Sequence, residues 1–250
     1  MIRNLNAITF RDFGVVLSER PQNTKNIEKE TGTLLKLDGK TAVVYRAKEQ
    51  TQINCGTAMI VLSVSVDGDT STNDTCCVMA NGMAGNAIIT EKNADYAAFV
   101  QALRELCIKL AIAMAADGEG AKHLITCTVN NAETEAKAET ISKAVICSTL
   151  TKAAIFGCDA NWGRVLCAMG YSGEDFDPTK VSVWFESKAG SILVCKDGEG
   201  LEFDEDLAKA ILTEHDVVIR IDLGEGSESC TCWGCDITYD YIKINGDYRT

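Results

Sequence analysis

From Tyr96 to Ala116 apolar side chains recur at Phe99, Leu103, Leu106 and Leu110, the spacing of one helix face, and the run stops just before Gly118. The pattern predicts a helix closed by Gly118 as its C′ glycine. Leu124 to Val129 (LITCTV) reads as a strand. Asn131 is then placed to cap a second helix, with Glu133 and Glu135 in its first turn and Ala138, Ile141 and Val145 on its inner face. Further on, Val181 to Ser187 and Ser191 to Cys195 read as paired strands, Asp204 as the cap of a short helix to Thr213, and Val217 to Leu223 (VVIRIDL) as another strand. The alternation in DITYDY predicts a terminal strand running almost to Thr250. Before residue 64 the pattern changes: in TLLKLDGKTAVVY, Asp38 and Gly39 stand between two apolar runs, the signature of a hairpin. The chain therefore divides into a β-rich segment, 1–64, and a domain of alternating helices and strands, 65–250, whose fold class is α+β (α/β layered).

Composition narrows the class of function. The 250 residues are 46% hydrophobic, enough for a substantial core, and carry a net charge of −12 without a run of Lys or Arg. Such a balance gives no footing for phosphate backbones or anionic lipid, so neither nucleic acid nor a membrane surface is an expected partner. Met1 to Phe10 has no apolar core of a leader peptide, and no later run approaches the roughly 20 apolar residues of a membrane span. A cytoplasmic protein is expected, which makes its twelve cysteines thiols rather than disulfides. Cys107, Cys127, Cys147 and Cys195 sit in apolar-periodic segments and read as small core residues. CTCWGC places Cys230, Cys232 and Cys235 together, but no second pair completes a zinc set and His123 and His215 are far away in sequence. No metal is expected there; alternating cysteines on one strand face are.

The common catalytic words are missing. There is no P-loop and no GxGxxG, GYSGE at Gly170 to Glu174 lacks the second glycine of a nucleophile elbow, and neither histidine stands in a readable triad. Polar clusters remain. VDGDTSTNDT, Val66 to Thr75, packs three aspartates, an asparagine and four hydroxyl residues into ten positions, and FGCDANWGR, Phe156 to Arg164, sets Asp159, Asn161 and Arg164 around a tryptophan. Each is a self-bonded turn or part of a site. DGEG occurs twice. The copy at Asp197 to Gly200 lies between two short strand-like runs and reads as a hairpin turn with Glu199 in solvent. The copy at Asp117 to Gly120 joins a buried helix to a buried strand, where Glu119 is expected to face the interior and to need a cationic partner: Lys122, Arg164 or a substrate amine.

VDGDTSTNDT, DGEGA, FGCDANWGR and WGCDITYDYIKINGDYRT, in that order, resemble the C-terminal (β) chain of the bifunctional ornithine acetyltransferase / N-acetylglutamate synthase family of arginine biosynthesis over about residues 65–250. The resemblance implies an αββα sandwich of the DmpA type, incomplete in this chain. It implies ping-pong transfer of acetyl from N-acetylornithine through a threonine to glutamate, with acetyl-CoA as a further candidate donor and no bound cofactor. It carries substrate contacts onto Glu119, Asn245 and Thr250. Glu119 would meet an ammonium group; Asn245 and Thr250 offer an amide and a hydroxyl. The family's threonine nucleophile follows a cleavage motif without counterpart in residues 1–64, so no catalytic residue is assigned in this chain. Lys122 and His123 also replace the threonine and lysine that usually follow DGEGA. The resemblance thus implies half an enzyme, partnered by a separate first half or by another copy of itself, with a non-catalytic amino-acid-binding remnant or a chimeric gene product as the alternative.

Overall fold

The computed structural model describes residues 63–69, 89 and 91–247, together with the backbone of six short strands outside those ranges. In chain order the strands are β1 (Thr9–Phe10), β2 (Val15–Val16), β3 (Gly32–Leu37), β4 (Lys40–Tyr45), β5 (Thr51–Asn54), β6 (Val64–Ser65) and β7 (Thr75–Val78). Helix α1 (Ala94–Ala116) follows, then β8 (Leu124–Ala132), α2 (Glu135–Cys147), α3 (Thr149–Phe156) and α4 (Trp162–Gly170). The chain continues through β9 (Ser182–Ser187), β10 (Gly190–Lys196), β11 (Glu199–Gly200), α5 (Glu205–Leu212), β12 (Asp216–Asp222), β13 (Glu228–Cys235) and α6 (Tyr239–Asp247). Two compact units result. One comprises Met1–Leu62 and Asp69–Leu110, the other Ser63–Gly68 and Ala111–Thr250.

The first unit contains three antiparallel strand pairs: β1 with β2, β3 with β4, and β5 with β7. In the β3–β4 pair Leu37 stands opposite Lys40, while Asp38 and Gly39 lie outside the described residues.

The second unit is built on a mixed seven-stranded sheet in the order β11-β10-β9-β12-β8-β13-β6. β12 runs parallel to β8 and antiparallel to β9, while β13 runs antiparallel to β8 and parallel to β6. One face is dry. Ile125, Cys127, Val129, Val183, Phe185, Val217, Ile219 and Ile221 point into a core completed by Ala138, Ile141 and Val145 of α2, Val165 and Met169 of α4, and Ile211 and Leu212 of α5. On the alternate positions stand half-buried Thr126, Thr128, Trp184, Arg220 and Thr231. There the Arg220 guanidinium lies 3.8 Å from the centre of the Trp184 ring and donates through Nε to Glu186 at 2.8 Å. The period of two that separates these faces is what the apolar runs encode. The result is an α+β layered fold.

Three local expectations are corrected. Asn131 does not cap α2: it lies inside β8 with φ 56°, and Thr134 is the cap, its hydroxyl accepting from Lys137 N at 3.1 Å. Gly118 is not the left-handed terminator of α1, since the positive φ belongs to Gly120 at 66°. DITYDY does not form a strand. Thr238 Oγ1 accepts from Tyr241 N at 3.2 Å and Asp240 lies in the first turn, so the chain turns into α6 instead.

Candidate functional site

The turn Asp117 to Gly120, after α1, is fastened to the start of α6 by backbone that leaves no room for side chains. A Cβ on Gly118 would lie 2.7 Å from Cys235 Sγ and 3.2 Å from Val66 Cγ1. A Cβ on Gly120 would lie 2.7 Å from Asp240 Cβ and 2.9 Å from Tyr241 N. Both glycines are therefore required by close approach, and at Gly120 by the positive φ as well. Thr238 Oγ1 donates to Gly120 O at 2.8 Å while accepting from Tyr241 N, so one hydroxyl both caps α6 and binds the turn.

Immediately beyond the turn, Asp236 is 4% exposed and accepts three hydrogen bonds. Lys122 N and His123 N donate to Oδ1 at 2.9 and 3.2 Å, and His123 Nδ1 lies 2.7 Å from Oδ2. Burial by itself pushes this carboxyl's pKa up, but the His123 bond and the two backbone donors outweigh it and hold the pKa below the usual aspartate value. The Lys122 ammonium sits 5.5 Å over the Phe156 ring, and Phe156 meets Tyr239 edge to face at 5.4 Å, which ties α3 to the first residue of α6. Tyr241 OH donates to Asp67 Oδ2 at 3.0 Å, connecting α6 to the segment after β6.

Beneath these contacts lies Lys152 of α3, 2% exposed. Its Nζ donates to Val66 O at 2.6 Å and to Cys235 O at 2.5 Å. Burial lowers its pKa; the nearby Cys235, Cys147, Asp236 and Asp67 act in the opposite sense. Burial likewise raises the Cys235 thiol, which makes it a poor nucleophile. Ser65 Oγ, next to Val66, is buried without a hydrogen-bond partner among the described residues.

Of the sequence-predicted contacts, Glu119 lies on the turn, but exposed. The expectation that it faces the interior and needs a partner is corrected: Gly118, not Glu119, occupies the inward position, and Arg164 Nη1 instead donates to Leu150 O at 3.0 Å. Asn245 lies in α6 rather than on a strand, one helical turn beyond Tyr241, to whose carbonyl its Nδ2 donates at 3.1 Å. Thr250 and half of VDGDTSTNDT, residues 70–74, lie outside the described residues. The FGCDANWGR cluster is a turn and a cap. Asn161 Oδ1 accepts from Arg164 N at 3.1 Å to start α4, and its Nδ2 donates to Asp159 Oδ2 at 3.0 Å. Cys230 and Cys232 lie on β13 beside α2, where Cys232 Sγ is 2.9 Å from Ser142 Oγ. The sequence reading missed Asp236, Thr238 and Lys152. Thr238 was findable as a helix cap; nothing in the sequence marks Asp236 or Lys152, whose partners are remote.

Residues 31–250 match the model of the ArgJ family, a longer stretch than the four motifs span. The chain belongs to the ArgJ family. It is 51% identical over 187 residues to the arginine biosynthesis bifunctional protein ArgJ of Caldanaerobacter subterraneus subsp. tengcongensis, and 48% identical over 187 residues to that of Thermotoga neapolitana. A mitochondrial ArgJ from Yarrowia lipolytica is 44% identical over 191 residues. These matches cover 75% of this chain but 46%, 47% and 44% of the respective relatives, so the chain spans about half their length. The crystal structure of ArgJ from Bacillus halodurans superposes with a TM-score of 0.69 at 40% identity, covering 78% of this chain and 93% of that one. ArgJ membership accounts for the order of the four motifs along the chain. Among the described residues no helix is long and apolar enough to cross a membrane.

Proposed function

We propose that this chain works as the C-terminal half of an acetyltransferase of arginine biosynthesis, holding N2-acetyl-L-ornithine and L-glutamate while acetyl passes between them. The observation that carries the reading is the docking of the Glu119 turn onto the first turn of α6. Gly120 meets Asp240 and Tyr241, and Asn245 follows one helical turn, about 5.4 Å, further along the same helix. Two of the three residues to which the resemblance assigns substrate contact thus belong to neighbouring elements, although more than a hundred positions separate them. The exposed Glu119 carboxylate suits the side-chain ammonium of acetylornithine. Asn245 offers Oδ1 as an acceptor beyond the amide nitrogen it gives to Tyr241, and Thr250 would add a hydroxyl.

In this reading the chain supplies binding and no nucleophile. The acetyl-accepting threonine, the oxyanion donors and the remaining layers of an αββα sandwich belong to the half of the relatives that this chain does not match. The motifs assign residues 65–250 to the acetyltransferase half, the family match reaching back to residue 31, and acetyl-CoA is a second candidate donor. One alternative is an amino-acid-binding protein without turnover.

Mass spectrometry after incubation with N-acetylornithine separates the two readings. The isolated chain is expected to show neither self-cleavage before a threonine nor a stable 42 Da adduct, and to gain acetyl transfer to glutamate when an ArgJ first half is supplied. Failure to gain transfer with that half present, while ornithine still binds, would favour the non-catalytic alternative.

A further inference from the structure

Lysines are among the residues least often fully buried, and a buried ammonium ordinarily faces a carboxylate. Lys137 obeys the rule, with Glu225 Oε2 at 2.6 Å. Lys152 does not: its partners are two backbone carbonyls, Val66 O and Cys235 O. Cys235 is the last residue of β13 and Val66 follows β6, the two strands being parallel neighbours. They are also the two whose side chains close on Gly118, Cys235 through Sγ and Val66 through Cγ1. The ammonium thus grips the carbonyls of the residues between which the turn bearing Glu119 is wedged.

We propose that Lys152 is a positioning residue of the amino-acid site: by joining Val66 O to Cys235 O it holds the jaws that seat Gly118, and so fixes where Glu119 and the start of α6 stand. The proposal rests on the substrate site suggested above, but its geometric core does not. A charged donor suits the task because each carbonyl receives a charge-assisted bond, stronger than a neutral one, in a dry setting. The same charge lies near Asp67 and Asp236, the carboxylates that bind Tyr241 and His123. One side chain of α3 thereby links all three segments around the turn.

Because burial lowers the pKa of Lys152, its proton should leave below the ordinary lysine value of 10.5, and the clamp should loosen there. The titratable groups around it are Cys235, Cys147, Asp236 and Asp67, with Tyr241 and His123 on the adjoining segments. The test uses the full chain labelled with 13Cα glycine and follows Gly118 and Gly120 from pH 6 to 10.5 in wild type, Lys152→Met and Lys152→Arg. Wild type should show a step below 10.5 at both glycines. Lys152→Met should be displaced already at pH 7, and Lys152→Arg should keep the wild-type position. The other titratable groups are the same residues in all three proteins, so only a step missing from both variants belongs to Lys152. Gly190 and Gly198, remote from the turn, should not move. Unmoved Gly118 and Gly120 signals in Lys152→Met, or no step in wild type, would overturn the proposal. Should Lys152→Met not fold, the step in wild type and its loss in Lys152→Arg decide.

Calorimetry with N-acetylornithine then separates this proposal from the functional reading. Binding weakened tenfold or more in Lys152→Met and kept in Lys152→Arg supports both. No binding by wild type at millimolar concentration defeats the functional reading, while the glycine signals still decide the role of Lys152.

Discussion

Asp236 is buried and accepts three hydrogen bonds, and a buried carboxylate with three donors is costly to alter. Asp236→Asn keeps the shape but loses charge-assisted bonds worth about 1.5–3 kcal/mol each, so a loss of about 2–4 kcal/mol in urea unfolding is expected. The pH dependence has a definite sign. The folded pKa of Asp236 lies below its ordinary value, so its contribution is complete above the unfolded pKa, near 4, and disappears as pH falls through the folded pKa. Wild type should therefore lose stability more steeply than Asp236→Asn on acidification below about pH 5, as measured by urea midpoints. Ser65 is the opposite case, a buried hydroxyl without a partner among the described residues. Ser65→Ala removes an unsatisfied group and should be neutral or stabilising by up to about 1 kcal/mol, whereas a partnered hydroxyl would make it destabilising. Neither role was legible, because Asp236 and His123 are 113 positions apart and a sequence does not say which polar residues meet.

Among the elements, those with both periodicity and a local cap were the most legible. Asp204 caps α5 as its position predicts, accepting from Asp206 N and Leu207 N at 3.0 Å each, and the second DGEG closes the β10–β11 hairpin with Lys196 opposite Glu199. Alternation alone misled at the chain end. Tyr239, Ile242 and Ile244 remain 79%, 65% and 46% exposed on α6, so no buried face selects strand over helix, and the Thr238 cap decides. The attachment of α6 should accordingly be sensitive to small changes at the turn. Gly120→Ala places a methyl against Tyr241 N in a left-handed conformation; about 1–3 kcal/mol of local destabilisation is expected, read as faster amide exchange in residues 239–247 with the sheet unaffected. Unchanged exchange in α6 would mean that the turn does not hold the helix. In FGCDANWGR the composition left a turn and a site both open; the Asn161 bonds show a turn and cap, and Asn161→Ala should cost about 1 kcal/mol.

For the whole molecule, strands β8, β9, β10 and β12 and helices α1 and α5 were legible as apolar runs, whereas their order in a mixed sheet was not, and the four motif words carried the family. The curated relatives are about twice as long as the part of them that this chain matches. On the proposed reading as one half of an acetyltransferase, self-association is expected when the other half is not supplied; sedimentation as a clean monomer without dye-binding apolar surface would contradict it. In the proposed function the Glu119 turn and α6 together hold the amino acid. Calorimetry of N-acetylornithine binding tests it most directly, comparing wild type, Glu119→Gln and a chain ending at Ile244. Each change removes a hydrogen bond to a charged group, about 1.5–3 kcal/mol, so affinity should fall at least tenfold in both while the thermal transition of the sheet stays in place. Affinity equal to wild type in Glu119→Gln and in the shortened chain would contradict the account.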